Sequence, residues 1–219
     1  MRENPDYALS RAADAKALIR SAPWATIISA TSAGPVASHY PVILDEDADE
    51  TDPDAITLVS HVGRPDERLH ELGAHELLVV FSGPSGYISP SWYEVDPAVP
   101  TWDFATVHAY GVPEILSDDE NLAVLERLVD HFEDPLPNPF RMRGTLATSA
   151  YAERIIAGTV GFRLRVTRFH GKEKMSQDKP VEVLERVVAA LDRPGPYENA
   201  ALAARIRLVN GLGRTGDAA

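Results

Sequence analysis

Four short segments carry polar or aromatic side chains where a strand, or the end of a strand, would be expected to be apolar. They are Ser38-His39, Ser60-His61-Val62-Gly63-Arg64, the tryptophan-rich stretch 89–102 with His108 downstream, and 172–177. In the second segment, hydroxyl, imidazole and guanidinium donors precede Pro65, a residue suited to the first turn of a helix. Such donors, joined by the unpaired N–H groups of a helix start, suit a phosphate group.

Each segment also has an ordinary structural interpretation. His39, His61 and His108 are predicted to lie on strands, where histidines are more often structural than metal ligands, and their spacing is not diagnostic of a metal site. Tryptophans such as Trp102 pack in cores and interfaces more often than they stack on a cofactor. Arg64 is equally compatible with a surface position at the start of a helix, so no segment supports a function by itself.

The chain lacks the motifs of several common catalytic and nucleotide-binding sites. It contains no G-x-x-x-x-G-K-[ST], no G-x-G-x-x-G, no H-E-x-x-H and no G-x-S-x-G. The segment GPSGY at 83–87 is not a nucleophile elbow, because a proline stands where that motif has its variable residue. The catalytic residues, if any, are therefore unknown from motifs.

Apolar alternation and the placement of glycine and proline predict a mostly antiparallel protein. Because strands follow strands rather than alternating with helices, the pattern favours an antiparallel barrel with helical decoration over a Rossmann sheet. Gly83-Pro84 is a predicted turn. Strands are predicted at 24–30, 36–44, 55–62, 76–83, 86–90, 105–116 and 160–171, and helices at 9–20, 65–73, 118–132, 148–159 and 180–192.

Composition and charge restrict the class of protein. The 219 residues are 44% hydrophobic and include no cysteine, so a sizeable core can form and disulfides cannot. No apolar run approaches the roughly 20 residues of a membrane span, and the N-terminus lacks the apolar core of a signal peptide, so we expect a cytoplasmic protein. The net charge of −12 opposes direct binding to nucleic acid.

Seven of the ten residues from Asp45 to Asp54 are acidic. A run of this kind is typical of a solvated loop. A calcium-binding loop is the functional alternative, but the segment lacks the glycine and the closing glutamate of an EF-hand. We therefore predict an exposed acidic loop between two strands.

Taken together, several segments resemble the PaiB family, the FMN-binding negative transcriptional regulators. The resemblance covers roughly residues 1–185, and the combination of YISPSWY, VPTW, VHAYG and K-x-SQ is its most specific part. The matching segments are PWATIIS (23–29), GPVASHYPVILD (34–45), SHVGR (60–64), LLVVFSGPSGYISPSWY (77–93), VPTWDFATVHAYG (99–111) and VGFRLRVTRFHGKEKMSQDK (160–179).

The resemblance implies a mainly β, α+β fold, a split antiparallel β-barrel similar to pyridoxamine-phosphate oxidases. It implies a homodimer that binds FMN in the clefts between subunits, with exposed aromatic surface around Trp92, Tyr93 and Trp102. Residues 1–192 would form the FMN-binding domain and 193–219 a helical tail. The implied cofactor-binding residues are Ala37, Ser38, His39, Ser60, His61, Val62, Arg64, Trp102, His108, Lys174, Ser176 and Gln177, with no metal.

Within that set the roles differ. Ser60, His61 and Arg64 would hold the FMN phosphate, and Ala37 to His39 would border the ring. Lys174, Ser176 and Gln177 would close the site, whereas Trp102 and His108 would reach in from the partner subunit.

The chain departs from the family pattern at several positions near these residues. Asp66 and Asp103 stand where the family commonly has asparagine, Glu173 stands in place of tryptophan, and Asp178 in place of asparagine. The added negative charge is expected to weaken FMN binding or to change which flavin-type ligand is accepted.

Three functions follow as hypotheses. The first is an FMN-binding PaiB-type negative transcriptional regulator that acts without a DNA-reading helix. The second is a flavin-dependent oxidoreductase, and the third is a flavin-free barrel that serves as a binding module.

Overall fold

The computed structural model describes residues 1, 4–48 and 51–213. Its strands are β1 (Ala8–Leu9), β2 (Trp24–Thr31), β3 (Gly34–Pro41), β4 (Ile43–Leu44), β5 (Thr57–Gly63), β6 (Leu77–Ile88), β7 (Thr101–Gly111), β8 (Glu114–Ile115), β9 (Thr159–Arg165) and β10 (Arg168–Lys174). Its α-helices are α1 (Ala12–Ser21), α2 (Arg64–Leu69), α3 (Asp118–Glu133), α4 (Leu146–Ile156), α5 (Val181–Asp192) and α6 (Ala200–Asn210). In the described part of the chain, no helix has both the length and the apolar character needed to cross a membrane.

The strands form two sheets. The larger has the strand order β1-β10-β7-β6-β2-β3, and the smaller has the order β4-β5-β9-β8. Strand β2 pairs antiparallel with both β3 and β6, and β5 pairs antiparallel with β9. The predicted antiparallel α+β fold is therefore confirmed, and β3 lies at an edge of the larger sheet.

The chain forms two compact units, each with its own buried residues. In one unit, helix α5 buries Val183, Leu184 and Val187 and packs on α6. In the other, α3 packs on β5 and β9, so that Val124 joins Val59 in the core. The first unit consists of Met1–Ser10, Ser82–Val107 and His170–Ala219, and the second consists of Arg11–Phe81 and His108–Phe169. The predicted division at residue 192 stays a prediction.

Helix α3 shows how local signals determine an element. Ser117 Oγ accepts a hydrogen bond from Glu120 N at 3.3 Å, and the Glu120 carboxylate accepts from Ser117 N at 3.0 Å. This capping box satisfies N–H groups that the first helical turn leaves unpaired. The predicted helices at 118–132 and 180–192 are confirmed as α3 and α5. Helix α4 begins earlier than predicted, because Thr145 rather than Thr148 or Ser149 caps it.

The predicted turn at Gly83-Pro84 is wrong, since both residues lie within the continuous strand β6. Proline lacks an N–H donor, but a strand tolerates it where that donor has no ladder partner to satisfy. Gly86 in the same strand has a packing role, because a Cβ there would lie 2.9 Å from Leu202 Cδ2 of helix α6.

Three predicted strands are divided. The segment 36–44 forms β3 in the larger sheet and the short β4 in the smaller one. The segment 160–171 forms β9 and β10, because the chain leaves the smaller sheet after Arg165 and enters the larger one at Arg168. The segment 105–116 forms β7, which begins at Thr101, and the short β8. At Gly111, where β7 ends, a Cβ would lie 2.4 Å from Arg165 O, so the close approach of the two backbones requires glycine.

The acidic run is exposed only in part, which corrects the prediction of a wholly solvated loop. Asp45 is buried and accepts hydrogen bonds from Arg127 and Arg163, each at 2.8 Å. Burial raises the pKa of the Asp45 carboxyl, but the hydrogen bonds from the two arginines outweigh it, so the net pKa lies below the usual range. Asp49 and Glu50 lie outside the described residues.

Candidate functional site

Strand β3 carries the first group of predicted binding residues, Ala37, Ser38 and His39. Because side chains alternate along a strand, Ala37 and His39 are exposed on one face, whereas Ser38 is half-buried on the other. Trp24 of β2 stacks beside His39, with ring centroids 6.4 Å apart and planes 20° apart. One ligand can reach all three residues only along the sheet edge, where an edge strand presents backbone N–H and C=O groups.

His70, which no sequence motif singled out, contacts Ser38. Its Nε2 lies 3.0 Å from Ser38 Oγ, and its Nδ1 lies 2.7 Å from Ser29 Oγ. Burial lowers the pKa of His70, although the nearby Asp66 carboxylate opposes that effect. His70 and Ser29 are 41 positions apart in the chain, so no local spacing signals the pair.

The second predicted group, Ser60, His61 and Val62, lies on strand β5. Ser60 is fully buried and donates its hydroxyl proton to Pro41 O at 2.7 Å, so it connects the end of β3 to β5. Val62 is a core residue. His61 is half-buried and meets the Tyr40 ring edge-on, with centroids 5.8 Å apart. The side chain of His61 also borders a space large enough for a ligand.

That space is an apolar cavity of about 660 Å³ bordered by His61, Pro41 and helices α3 and α4. Among the described residues, His61 Nδ1 is buried without a hydrogen-bond partner. Burial lowers the pKa of His61, which keeps the imidazole neutral and able to donate one hydrogen bond and accept another. The apolar lining includes Leu125, Leu128, Phe132, Phe140, Tyr151 and Ile155.

Arg64 is the first residue of helix α2. Its backbone N–H donates to Gly158 O at 3.0 Å, and its side-chain Nε donates to Ala157 O at 2.7 Å. Its terminal nitrogens lie 3.7 Å from a Glu67 carboxylate oxygen and 4.0 Å from an Asp118 carboxylate oxygen, which are ion-pair distances rather than hydrogen bonds. The side chain is 40% exposed, so its terminal N–H groups are accessible to an anion.

Asp66, one of the predicted acidic departures, is hydrogen-bonded within the protein. Tyr40 donates its hydroxyl proton to Asp66 Oδ2 at 2.7 Å, and the same hydroxyl oxygen accepts from Gly63 N at 3.1 Å. Burial raises the pKa of the Tyr40 hydroxyl, so it remains protonated and able to donate. These bonds connect β3 to the start of α2 and hold the backbone that carries Arg64.

Lys174, Ser176 and Asp103 form a closed cluster in the first unit. Lys174 Nζ donates to Thr101 Oγ1, to Trp102 O at 3.2 Å and to Asp103 Oδ1 at 3.3 Å. Ser176, whose φ of 57° is left-handed, donates to Asp103 Oδ2 at 2.5 Å. Burial raises the pKa of the Asp103 carboxyl, against the opposing effect of its two donors. The donors of the ammonium and the hydroxyl are therefore used within the protein.

The other predicted residues are placed in both units. Gln177 accepts from Met175 N and donates to Glu173 O, both at 2.6 Å. Trp102 is 55% exposed, and Tyr93 is buried, which corrects its assignment to an exposed aromatic surface. His108 lies half-buried on β7 in the second unit.

Metal-binding side chains do not converge in the part of the chain that the structure describes. No group of three or more histidine, cysteine, aspartate or glutamate side chains there could hold an ion.

Comparison with known proteins shows the family. Residues 1–168 match the protein family described as "Putative FMN-binding domain". The chain is also 30% identical over 156 residues to "Protease synthase and sporulation protein PAI 2" of Bacillus subtilis, across 71% of this chain and 72% of that protein. This chain belongs to the PaiB family of FMN-binding domains. The matched region of this PaiB-family chain includes the predicted binding residues from Ala37 to His108, but not Lys174, Ser176 and Gln177.

Two solved structures resemble the PaiB-family fold at low sequence identity. The FAD and heme binding protein from Mycobacterium smegmatis aligns with a TM-score of 0.51 and 18% identity, over 80% of this chain and 76% of that one. A "putative 5-nitroimidazole antibiotic resistance protein" from Bacteroides thetaiotaomicron aligns with a TM-score of 0.53 and 14% identity, over 75% and 85%. These similarities concern the fold alone and agree with the predicted split barrel.

Proposed function

We propose that this PaiB-family chain binds FMN, with the phosphate at Arg64 and the flavin ring along the edge of strand β3. The hydrogen bonding of the Arg64 guanidinium is the main observation that supports the proposal. Its Nε is held by Ala157 O at 2.7 Å, while its terminal nitrogens lie at ion-pair distances of 3.7 and 4.0 Å from carboxylates of the described residues. A guanidinium fixed at one nitrogen presents the other two as a fork that matches a phosphate.

Two carboxylates limit the affinity expected at this position. Glu67 and Asp118 lower the positive potential that a phosphate dianion meets at Arg64. The Asp118 side chain is 79% exposed and can move away at little cost, whereas Glu67 is less exposed. We expect binding that weakens with ionic strength, because the phosphate competes for a partly exposed cation.

The ring would lie against strand β3 and the end of β5. Ala37 adds little bulk, His39 and Trp24 supply an aromatic surface, and the edge of β3 supplies backbone groups for the polar side of the ring. His61 contributes a neutral imidazole with an unused nitrogen. Bound FMN would supply one- and two-electron redox chemistry, while these residues bind and orient it.

The remaining predicted residues could contact FMN only after a change in their present contacts or in a dimer. Lys174 and Ser176 reach a ligand only by giving up bonds to Asp103, and Gln177 only by releasing Glu173 O. Trp102 and His108 are proposed to act across a symmetric homodimer. The exposure of Trp102, at 55%, supports an interface around it.

A regulatory role without direct DNA contact is part of the proposal. The net charge of −12 disfavours binding to DNA phosphates. Regulation would then act through a partner protein or through small-molecule chemistry at the flavin. The name of the Bacillus subtilis relative refers to protease synthesis and sporulation, and it describes that protein.

Titration of the purified protein with FMN and with riboflavin tests the phosphate site. Arg64→Ala should weaken FMN by about 1.5–3 kcal/mol, or roughly 10- to 150-fold, the scale of a lost hydrogen bond to a charged group. It should leave riboflavin binding unchanged, because riboflavin lacks the phosphate. Arg68→Ala removes the same charge from an exposed position on the same helix and serves as the matched control.

Equal FMN affinity for the wild type and Arg64→Ala would place the phosphate elsewhere. If excess FMN fails to bind wild-type protein, the expected cause is the negative charge at the four acidic replacements. The quadruple variant Asp66→Asn, Asp103→Asn, Glu173→Trp and Asp178→Asn should then recover binding. If the quadruple variant also fails to bind FMN, this chain has the fold of the family without its cofactor binding.

A further inference from the structure

His70 lies between two serine hydroxyls. Ser29 Oγ is 2.7 Å from His70 Nδ1, and Ser38 Oγ is 3.0 Å from His70 Nε2. Ser29 and His70 are buried, whereas Ser38 is half-buried on an edge strand. The direction of both hydrogen bonds depends on which nitrogen carries the imidazole proton.

Ser29 decides the position of that proton. Among the described residues, His70 Nδ1 is the one hydrogen-bond partner of the Ser29 hydroxyl. If Nδ1 carried the proton, the buried Ser29 hydroxyl would have no acceptor for its own proton, which costs free energy. If Nε2 carries the proton, the Ser29 hydroxyl donates to Nδ1 and Nε2–H donates to Ser38 Oγ. The two buried groups, the Ser29 hydroxyl and the His70 imidazole, then both have hydrogen-bond partners.

The imidazole is neutral in this arrangement, so it holds a single proton. Burial lowers the pKa of His70, and the Asp66 carboxylate, which acts in the opposite direction, does not reverse the shift. The backbone N–H of His70 donates to Asp66 O at 2.8 Å, which holds the residue at the end of helix α2. The ring therefore has a fixed position as well as a fixed protonation state.

We propose that His70 is a positioning residue that holds Ser38 as a hydrogen-bond donor toward a ligand bound along β3. Because Ser38 Oγ accepts from Nε2–H, its own proton is not used by His70, and no other bond of this hydroxyl is found among the described residues. The proton suits a carbonyl oxygen or an unprotonated ring nitrogen. The identification of that acceptor with a flavin ring rests on the proposed function.

The same proton position excludes a different role for Ser38. A serine nucleophile must donate its proton to the histidine that acts as its base. Here Nε2 is the donor, so Ser38 is not activated for attack, although Ser29, His70 and Ser38 resemble a nucleophile, base and orienting group in outline.

Nitrogen-15 NMR of the full chain with labelled histidines measures the proton position without a ligand. Near neutral pH, His70 should show a protonated Nε2 and an unprotonated Nδ1, with the His70→Asn variant identifying the signals. Ser29→Ala removes the donor to Nδ1, so the form protonated at Nδ1 should become populated, and this change also identifies the signals if His70→Asn does not fold. Ser21→Ala, a hydroxyl lost from helix α1, should leave them unchanged. A protonated Nδ1 in the wild type would overturn the proposal.

Riboflavin, which carries the ring without the phosphate, tests the ligand. Ser38→Ala should weaken riboflavin by about 2- to 12-fold, the range of one neutral hydrogen bond, and should shift the visible absorption of the bound ring. Ser38→Thr keeps the hydroxyl and should retain both properties. Equal affinity and equal spectra for the wild type and Ser38→Ala would overturn the ligand assignment. If the wild type binds neither FMN nor riboflavin, the proposed function and the ligand assignment both fail, while the NMR result still decides the His70 proton.

Discussion

Arg64 and Lys174 are both basic residues in polar segments, yet their donors are used differently. Arg64 gives Nε to a carbonyl and leaves its terminal nitrogens in ion pairs at 3.7 and 4.0 Å. Lys174 directs its ammonium to Asp103 and to two neighbouring oxygens, and Ser176 is bound to the same carboxylate. Residue type alone therefore does not decide whether a donor is available to a ligand; the acceptors around it do.

Solvation explains the difference between the two regions. Asp103 is fully buried, and a buried carboxylate is stable only when donors surround it. It therefore holds Lys174 and Ser176 closely. The carboxylates near Arg64 remain partly solvated. Because water stabilises their charge, they do not need close hydrogen bonds from the guanidinium.

Removing Asp103 should produce the largest effect. Asp103→Ala leaves the Lys174 ammonium, whose side chain is only 19% exposed, without its carboxylate, and it should lower the free energy of unfolding by about 3 kcal/mol. Asp178→Ala removes an exposed carboxylate, paired with Lys179 at 2.7 Å, and should cost less than about 1 kcal/mol. Urea unfolding measures both values. Similar losses for the two variants would show that the cluster is not a buried network.

Measuring the oligomeric state tests whether the region around the Lys174–Asp103 cluster lies at a homodimer interface. Trp102, whose carbonyl accepts from Lys174, is exposed, and Trp102→Ala should weaken a homodimer by about 2 kcal/mol, or roughly 30-fold. Leu146→Ala removes an even more exposed apolar side chain and should have no comparable effect. Light scattering supplies the measurement. A wild-type mass near the monomer value of 23.9 kDa at micromolar concentration would exclude the dimer.

Two buried aspartates should give opposite pH dependences. Burial raises the pKa of Asp103 in the folded protein, so its contribution to stability falls as pH rises from about 3.9, the unfolded value, through the raised pKa. For Asp45, the hydrogen bonds from Arg163 and Arg127 outweigh burial and lower the pKa, so its stabilisation is present above about 3.9 and is lost as pH falls through the lowered pKa.

Unfolding free energies measured across this range separate the two residues. Asp103→Asn should flatten the profile above about pH 4, and Asp45→Asn should flatten it below about pH 4. A profile that changes on the same side for both variants would contradict the assigned directions.

The smallest expected effect is on DNA. With a net charge of −12, the protein alone should show no specific, salt-resistant retention of DNA. Mobility-shift assays at physiological salt provide the test, with Arg64→Ala in parallel. A specific shift that disappears in Arg64→Ala would assign the guanidinium to DNA phosphates instead of FMN.

The elements predicted well from the sequence are those with local causes. The helix at 118–132 is predicted from its 3.6-residue periodicity, and the Ser117–Glu120 capping box that begins α3 joins residues only three positions apart. The antiparallel character and the polar segments that contain Ser38, Arg64 and Lys174 are equally local patterns.

Only the tertiary structure decided the partners of those segments. Asp103 lies 71 positions from Lys174, Ser29 lies 41 from His70, and Asp45 lies 118 from Arg163. Likewise, strict alternation through 160–171 could not reveal that the chain changes sheets after Arg165, because period two is the same in both sheets. A sequence specifies which groups can donate and accept, but burial and distant acceptors determine which of them remain for a ligand.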